Sequence, residues 1–404
     1  MIFPVKIIMK TSVIHRLFKS PIAVCSRSSS RSLATKAVSS PDDGAEYSTD
    51  RSDVVISPDA ARHFIERCIR RAGANASHAQ QLADVLVTAD YRGHYSHGLA
   101  HLDMYVGDLK NNLTNLAGIP GILKETVSTA LVDGNHLLGP VVGNYAMGLA
   151  ITKAKATGIG WVATRASNHF GIAGYYALQA VRNDMIGLVF CNSSPSAAPL
   201  RTRTLALGTN ALCMAAPAAN GDYFAMDMAV STVARGKVEL AMRAGQKVPS
   251  SWGLNKEGQH TTNPAELFHG GSLLPLGGEE STGGYKGYGL NLMVEILCGI
   301  LADAAFGPLV RAWGDPSGEA NLGQCFGAID VNCFGNGFQQ RLSALLNIMR
   351  HMDPTDTKAP VLVPGDPERQ HMLKCDRLAG IPYPADIVRR AGEIAHKLGV
   401  QPLL

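Results

Sequence analysis

None of the eight cysteines (25, 68, 191, 213, 298, 325, 333 and 375) falls in a C-x-x-C pair or at a metal-ligand spacing. That pattern excludes a zinc ribbon or a disulfide-stapled scaffold and fits a reduced intracellular compartment, including a mitochondrial matrix. Long apolar runs are also missing. The longest, residues 290–306, is interrupted by Glu295 and Asp303 and falls short of a membrane span, so it reads as a buried helix. Acid is absent from residues 1–41, which carry Lys6, Lys10, Arg16, Lys19, Arg27, Arg31 and Lys36. With Ser-Arg-Ser-Ser-Ser-Arg-Ser at 26–32, this is the composition of a mitochondrial transit peptide. A secretory signal is excluded because Lys6 and Lys10 break the only apolar candidate. Residues 1–45 are therefore set aside as leader and linker, and the predicted destination is the mitochondrial matrix, or the cytoplasm if the leader is unused. Without the leader, 30 of the 37 Lys and Arg face 33 Asp and Glu. The body is mildly acidic and has no basic stripe interleaved with aromatics, so nucleic acid is not an expected partner.

What remains is long enough for two or three domains with full cores. Ser57-Pro58 gives an N-cap followed by proline at the first helical position, with Phe64, Ile65, Cys68 and Ile69 as an apolar face. A second helix carries Leu82, Val85, Leu86 and Ala89, and a third carries Leu99, Leu102, Tyr105, Val106 and Leu109. From about residue 125 the period changes. Strands are predicted at 127–133, from 161, and at 185–192, 212–216, 223–228 and 321–330. Helices fill 142–153, 175–183, 338–349 and 385–398. The fold class is mixed α/β of the α+β kind.

A Rossmann fingerprint is lacking, because Gly158-Ile-Gly160 precedes a strand where the dinucleotide turn must follow one. The better anion-binding candidate is Gly283-Gly-Tyr-Lys286-Gly-Tyr-Gly289, read as a loop leading into a helix near Leu290. Glycines let backbone N–H groups converge on a phosphate, and Lys286 adds a charge. It is not a Walker A sequence.

Two stretches carry chemistry. In Trp161-Val-Ala-Thr-Arg-Ala-Ser-Asn-His169-Phe-Gly171, a strand breaks at a polar turn before a helix, placing His169 at the mouth of a cleft. Imidazole titrates near neutrality, so His169 can take a hydroxyl proton and return it; the bland alternative is a hydrogen-bonded structural histidine. In Asp90-Tyr-Arg92-Gly-His94-Tyr-Ser96-His97-Gly-Leu-Ala-His101, three histidines suggest zinc. Helical spacing would part the outer two by about 10 Å, too far for one ion, so no metal is expected. The turn instead presents Arg92, Ser96 and His97 to a polar ligand, with Arg able to fork onto a carboxylate; otherwise it is a capping turn.

These stretches occur in register with Gly208-Thr-Asn210, Asp227-Met-Ala229, Arg235-Gly-Lys237, Leu274-Pro-Leu-Gly277 and Asn321-Leu-Gly-Gln324. The set resembles the malate/L-lactate dehydrogenases of the second, non-Rossmann type, a group with L-sulfolactate, ureidoglycolate and 2,3-diketogulonate oxidoreductases, over residues 54–400. The resemblance implies NAD or NADP as cofactor, a 2-hydroxy acid and its 2-oxo acid as substrates, and usually a homodimer. It implies a mixed-sheet cofactor domain (125–284) flanked by a helical domain built from 53–124 and a return segment, 285–404. It makes His169 the proton acceptor, with His97 beside it and the substrate carboxylate near Arg92, Ser96 and His101. Ser193, Asp227, Met228, Ala229, Lys286, Arg341, Leu342 and Ser343 fall where the family touches its dinucleotide. His101 stands where the family usually has Arg, and Ala211 where it has Pro. A His cannot fork as Arg does, so the rival reading is a catalytically impaired dinucleotide-binding homologue.

Overall fold

The structure, a computed structural model, describes residues 53–404 except 244 and 313. The transit peptide expected over 1–45 lies outside the described residues. The chain opens with β1 (Val54–Ile56), α1 (Pro58–Arg71) and α2 (Ala76–Tyr91). Ser57 and Asn75 cap the two helices, accepting from Ala60 N–H at 3.1 Å and His78 N–H at 2.8 Å. Two 3₁₀ turns, Tyr95–His97 and Leu99–His101, then lead into α3 (Leu102–Lys110). Gly93 and Gly98 break what would otherwise be one helix from α2 to α3.

Next come β2 (Gly121–Glu125), β3 (Thr129–Asp133), α4 (Gly139–Thr157), β4 (Ile159–Ser167), α5 (Ala173–Val181), β5 (Met185–Cys191), β6 (Ala211–Pro217) and β7 (Tyr223–Ala229). An excursion follows through α6 (Arg235–Arg243), β8 (Gly253–Leu254), α7 (Pro264–Phe268) and β9 (Ser272–Leu273). The chain closes with α8 (Gly284–Glu295), β10 (Leu322–Asp330), α9 (Phe338–Arg350), α10 (Asp366–Arg377), β11 (Ile381–Tyr383) and α11 (Ala385–Leu398).

A seven-stranded sheet runs in the order β2-β3-β4-β10-β5-β6-β7. Only β3 and β4 are parallel; every other neighbouring pair is antiparallel. Helices α4 and α5 cover one face through Ala146, Met147, Ala150, Tyr176 and Ala177, packed on Val162, Val189 and Phe326. Val294 and Cys298, from α8 and the turn that continues it, cover the other face over Phe190, Leu212 and Cys325. Gly160 belongs to this packing: a Cβ there would overlap the carbonyl of Ala150 on α4. Gly158 instead ends α4 in the left-handed region.

The first and last described strands meet in the helical layer. β1 pairs antiparallel with β11, Val54 opposite Tyr383 and Ile56 opposite Ile381. Phe64, Ile65, Leu82, Leu86, Leu102, Ile387, Ala391 and Ala395 share one core there. Asp90 ties this layer to the turn after α2: its Oδ2 accepts from Leu99 N–H and from Tyr383 Oη–H, both at 2.9 Å.

Three expectations need correction. Helix α8 starts at Gly284, not near Leu290, so most of the glycine-rich stretch is helical. Gly287 is there because a Cβ would overlap backbone of Leu276. Residues 290–306 are not wholly buried, since Leu292, Met293, Ile296, Ile300 and Leu301 face outward. β10, within the segment expected to return to the helical layer, lies at the sheet's centre. Pro364 and Gly365 turn the chain into α10, with Gly365 in the left-handed region and Pro367 in the first turn.

Burial pushes the Asp90 carboxyl up to about 8, against the Leu99 and Tyr383 bonds that lower it. The unfolded carboxyl titrates near 3.9. Between those values the folded chain holds the extra proton, so this residue's contribution to stability falls as pH rises from about 4 to about 8. Asp90→Asn has no such proton, and urea midpoints at acid and mildly alkaline pH should lie closer together than in wild type. The same pH dependence in both proteins would mean that Asp90 is ionised in the fold.

Candidate active site

His169 projects from a turn that is held on every side. At the end of β4, Ala166 adopts a positive φ and donates its N–H to Asn321 Oδ1 at 2.9 Å. Ser167 donates its hydroxyl to Gln324 Oε1 at 2.8 Å, and Gln324 Nε2 donates to the Asn168 carbonyl at 2.9 Å. Asn168 Nδ2 in turn donates to the Leu137 carbonyl at 2.9 Å. The Asn-Leu-Gly-Gln motif is thereby explained as the anchor of the histidine turn. Gly171 has φ of +81°, and a Cβ there would overlap Val85 on α2.

The second turn comes to meet it. Ser96 Oγ lies 2.9 Å from His97 Nδ1. The His97 and His169 rings stack at 5.9 Å between centroids and 21° between planes. His101 completes a triangle, 6.0 Å from His97 and 5.9 Å from His169. Tyr105 also reaches His169: its hydroxyl lies 2.6 Å from Nδ1, and Gly171 N–H lies 3.3 Å from the same nitrogen.

Burial is the main reason the three imidazoles resist protonation, and mutual repulsion adds to it. His97 is brought down to about 3 by burial, then by His101 and His94. His169 is held well below its ordinary value by burial, then by His101 and His97. His101 is lowered by burial, with Asp103 and Glu239 pulling the other way. At neutral pH the cluster is uncharged, which is the state a proton acceptor needs. A cleft of about 200 Å³ adjoins it, lined by Ser96, His101, Met104, Glu239, Ile387 and Arg390 among others. Gly236, of the Arg-Gly-Lys motif, lets α6 close over the turn, since a Cβ there would lie 3.0 Å from Ser96 Cβ.

Arg92 goes elsewhere. It is buried and donates to Tyr223 Oη at 3.1 Å, and among the described residues no hydrogen bond joins it to the histidine triangle. Asp227 is near it in charge terms: burial raises its carboxyl, and His94 and Arg92 oppose that. Its Oδ2 accepts from Gly174 N–H at 2.6 Å, capping the start of α5. His94 faces Glu368 at 3.5 Å. Arg92, His94, Asp227 and Glu368 thus form a second polar group.

Of the dinucleotide candidates, Ser193 follows β5 and is locked to Asn210, its N–H donating to Oδ1 at 3.0 Å. Asn210 Nδ2 donates to Asn291 Oδ1 at 2.7 Å and Glu295 Oε1 at 2.8 Å, both on α8. Met228 and Ala229 lie on β7. Lys286 is exposed in the first turn of α8, with no carboxylate partner among the described residues. A lone cation at a helix start is chemistry that suits a phosphate, so Ser193 and Lys286 fit a dinucleotide. On α9, Arg341 donates to the carbonyls of Gly335 and Asn336, Leu342 packs by Phe224 and Val363, and Ser343 Oγ accepts from Ala219 N–H at 2.9 Å. Among the described residues no hydrogen bond joins this segment to Lys286. No group of three or more described His, Cys, Asp or Glu residues is placed to hold a metal ion.

Sequence reasoning passed over Tyr105 and Asp90 as site residues. Tyr105 sits four residues after His101, one turn on, but its apolar neighbours made it look like core.

A family model described as malate/L-lactate dehydrogenase matches residues 56–390. The chain is 40% identical over 350 residues to malate/(S)-sulfolactate dehydrogenase of Methanothermus fervidus, covering 86% of this chain and 99% of that protein. It is 31% identical to ureidoglycolate dehydrogenase (NAD(+)) of Escherichia coli O157:H7, over 77% and 87% of the two chains. It is 30% identical to (2R)-3-sulfolactate dehydrogenase (NADP(+)) of Chromohalobacter salexigens, over 83% and 96%. Among solved structures, malate dehydrogenase of Pyrococcus horikoshii OT3 superposes with a TM-score of 0.80 at 38% identity, covering 87% of this chain and 98% of that one.

The anchoring of the His169 turn can be tested at Gln324. Gln324→Leu leaves the Ser167 hydroxyl and the Asn168 carbonyl buried without their partner, and should cost about 1–3 kcal/mol in urea unfolding. An unchanged midpoint would show that the turn holds itself.

Proposed function

The chain belongs to the malate/L-lactate dehydrogenase family and is a malate/sulfolactate dehydrogenase-like enzyme, a 2-hydroxy-acid oxidoreductase, and we propose on that premise that His169 is its acid/base. The observation that carries this reading is an uncharged His169 stacked on an uncharged His97 beside a cleft. In the oxidation direction His169 accepts the hydroxyl proton of a malate-like 2-hydroxy acid, and in reduction it returns that proton to the 2-oxo acid. His97, steadied by Ser96, holds the substrate oxygen. Ser96 and His101 line the cleft and receive the substrate carboxylate; Arg92 joins them only by leaving Tyr223.

Bound NAD or NADP supplies the hydride acceptor. Ser193 and Lys286 would hold it, with Asp227, Met228, Ala229 and the Arg341–Leu342–Ser343 segment as further candidates. Both cofactors are supported, because the relatives' names include an NAD(+) and an NADP(+) enzyme.

We also propose a homodimer. Ile296 and Ile300, 57% and 54% exposed, continue the outward apolar face of Leu292 and Met293 at helical spacing, and a second copy of this chain would cover it.

His169→Ala should lower turnover by about a hundredfold or more. The assay is nicotinamide absorbance with oxaloacetate, pyruvate, sulfopyruvate or diketogulonate and NADH or NADPH. Turnover within a few-fold of wild type would remove His169 from the chemistry. Wild-type silence across the panel, with cofactor still bound by fluorescence, would favour the impaired homologue. For the dimer, Ile296→Asp should convert the species seen by light scattering from two chains to one; a monomeric wild type would end that proposal.

A further inference from the structure

Tyr105 stands on α3 and is 3% exposed. Its hydroxyl lies 2.6 Å from His169 Nδ1, and its ring meets the imidazole edge-on at 60°. Gly171 N–H is within bonding reach of both atoms, 3.3 Å from Nδ1 and hydrogen-bonded to the phenol oxygen. The two partners of Nδ1 differ in kind. An amide can only donate, whereas a phenol can donate or accept. If Nδ1 is bare, both can point hydrogens at it. If Nδ1 carries a hydrogen, the phenol oxygen is the one of the two that can receive it, and the amide then serves that same oxygen.

The consequence bears on which nitrogen is free to react. A neutral imidazole has one hydrogen, and a ring that accepts at Nδ1 carries it on Nε2, where it blocks uptake of another proton. We propose that Tyr105 is a positioning residue for His169: its hydroxyl oxygen receives the Nδ1 hydrogen and so leaves Nε2 bare to take the substrate's proton. This rests on the acid/base role proposed above. In oxidation the substrate O–H bond breaks and its proton goes to Nε2, while the carbon's hydride goes to the nicotinamide cofactor. The imidazolium keeps its Nδ1 hydrogen, donated to Tyr105, and the reverse step returns the Nε2 proton to the oxygen. Tyr105 itself neither gains nor loses a proton.

The surroundings favour that passive part. Burial first, and then Asp108, raise the phenol above its ordinary value, so it stays protonated. Asp108 is ion-paired with Arg311 at 3.0 Å, and Cys191 also faces the phenol. His97 and His101 face His169 from the other turn and oppose its positive charge. In such a setting an acceptor at Nδ1 is what makes a transient imidazolium tolerable.

Tyr105→Phe keeps the ring against His169 and removes only the oxygen. Full-length protein labelled with ¹⁵N-histidine reports the tautomer directly. The expected result is an Nδ1–H ring in wild type and an Nε2–H ring in Tyr105→Phe, where Gly171 alone addresses Nδ1. Turnover should fall about 10- to 100-fold, within reach of a misset acid/base, with little change in KM. The acidic limb of the oxidation rate should move to lower pH, because the imidazolium has lost its acceptor. An Nε2–H ring in wild type, an unchanged tautomer in the variant, or an unmoved limb overturns the proposal. The spectrum needs no turnover, so the tautomer result stands apart from any failure of the acid/base reading at His169→Ala.

Discussion

The pairing of β10 with β4 is the contact on which the site depends. Its register sets Gln324 opposite Thr164 and Leu322 opposite Ser167, with an irregularity between them where the strand reaches the turn. From that position Gln324 bonds to both Ser167 and Asn168, and Asn321 fixes Ala166. The other edge of β10 pairs with β5, Gln324 opposite Cys191, just ahead of Ser193. One strand therefore spaces the His169 turn from the proposed cofactor loop. A one-residue slip would turn Gln324 to the opposite face and release both.

The histidine triangle shows how a dry site sets chemistry through proximity. Each ring is desolvated, and each would repel a charge on the others. A fully solvated histidine is part-protonated near neutrality, but here protonation waits for a partner that makes the cation tolerable. On the proposed reading that partner is local, since the charged groups of the Arg92 and Asp227 cluster are engaged with Tyr223, Gly174 and one another.

Much of this was legible beforehand, for identifiable reasons. The apolar run at 185–192 and the short stretches at 212–216 and 223–228 gave β5, β6 and β7 to within a residue or two. The strand-to-helix break at His169 and the glycine-flexed turn at His97 were visible as punctuation. Their meeting was expected only from the family resemblance, because nothing in local pattern says that residues 72 positions apart stack. β10 was read as a strand, but its insertion between β4 and β5 is a long-range pairing that periodicity does not encode. Tyr105 was read by hydropathy as core, and it is core by burial; its hydroxyl is what makes it part of the site.

Glycine was the most misleading signal, and the structure says why. A cluster of glycines before an apolar run suggests a loop that cradles an anion, yet in α8 Gly284 and Gly287 are helical and pressed against the backbone of Gly278 and Leu276. The same use recurs around the histidines. A Cβ at Gly98 would overlap the Asp90 carboxylate, and one at Gly139 would overlap the carbonyls of Asn168 and His169. At Gly98 the missing side chain leaves room for a carboxylate, and at Gly139 it lets one segment's backbone lie directly on another. Glycine here serves contact more than flexibility, and it is that contact which brings two polar turns from different layers close enough for their imidazoles to stack.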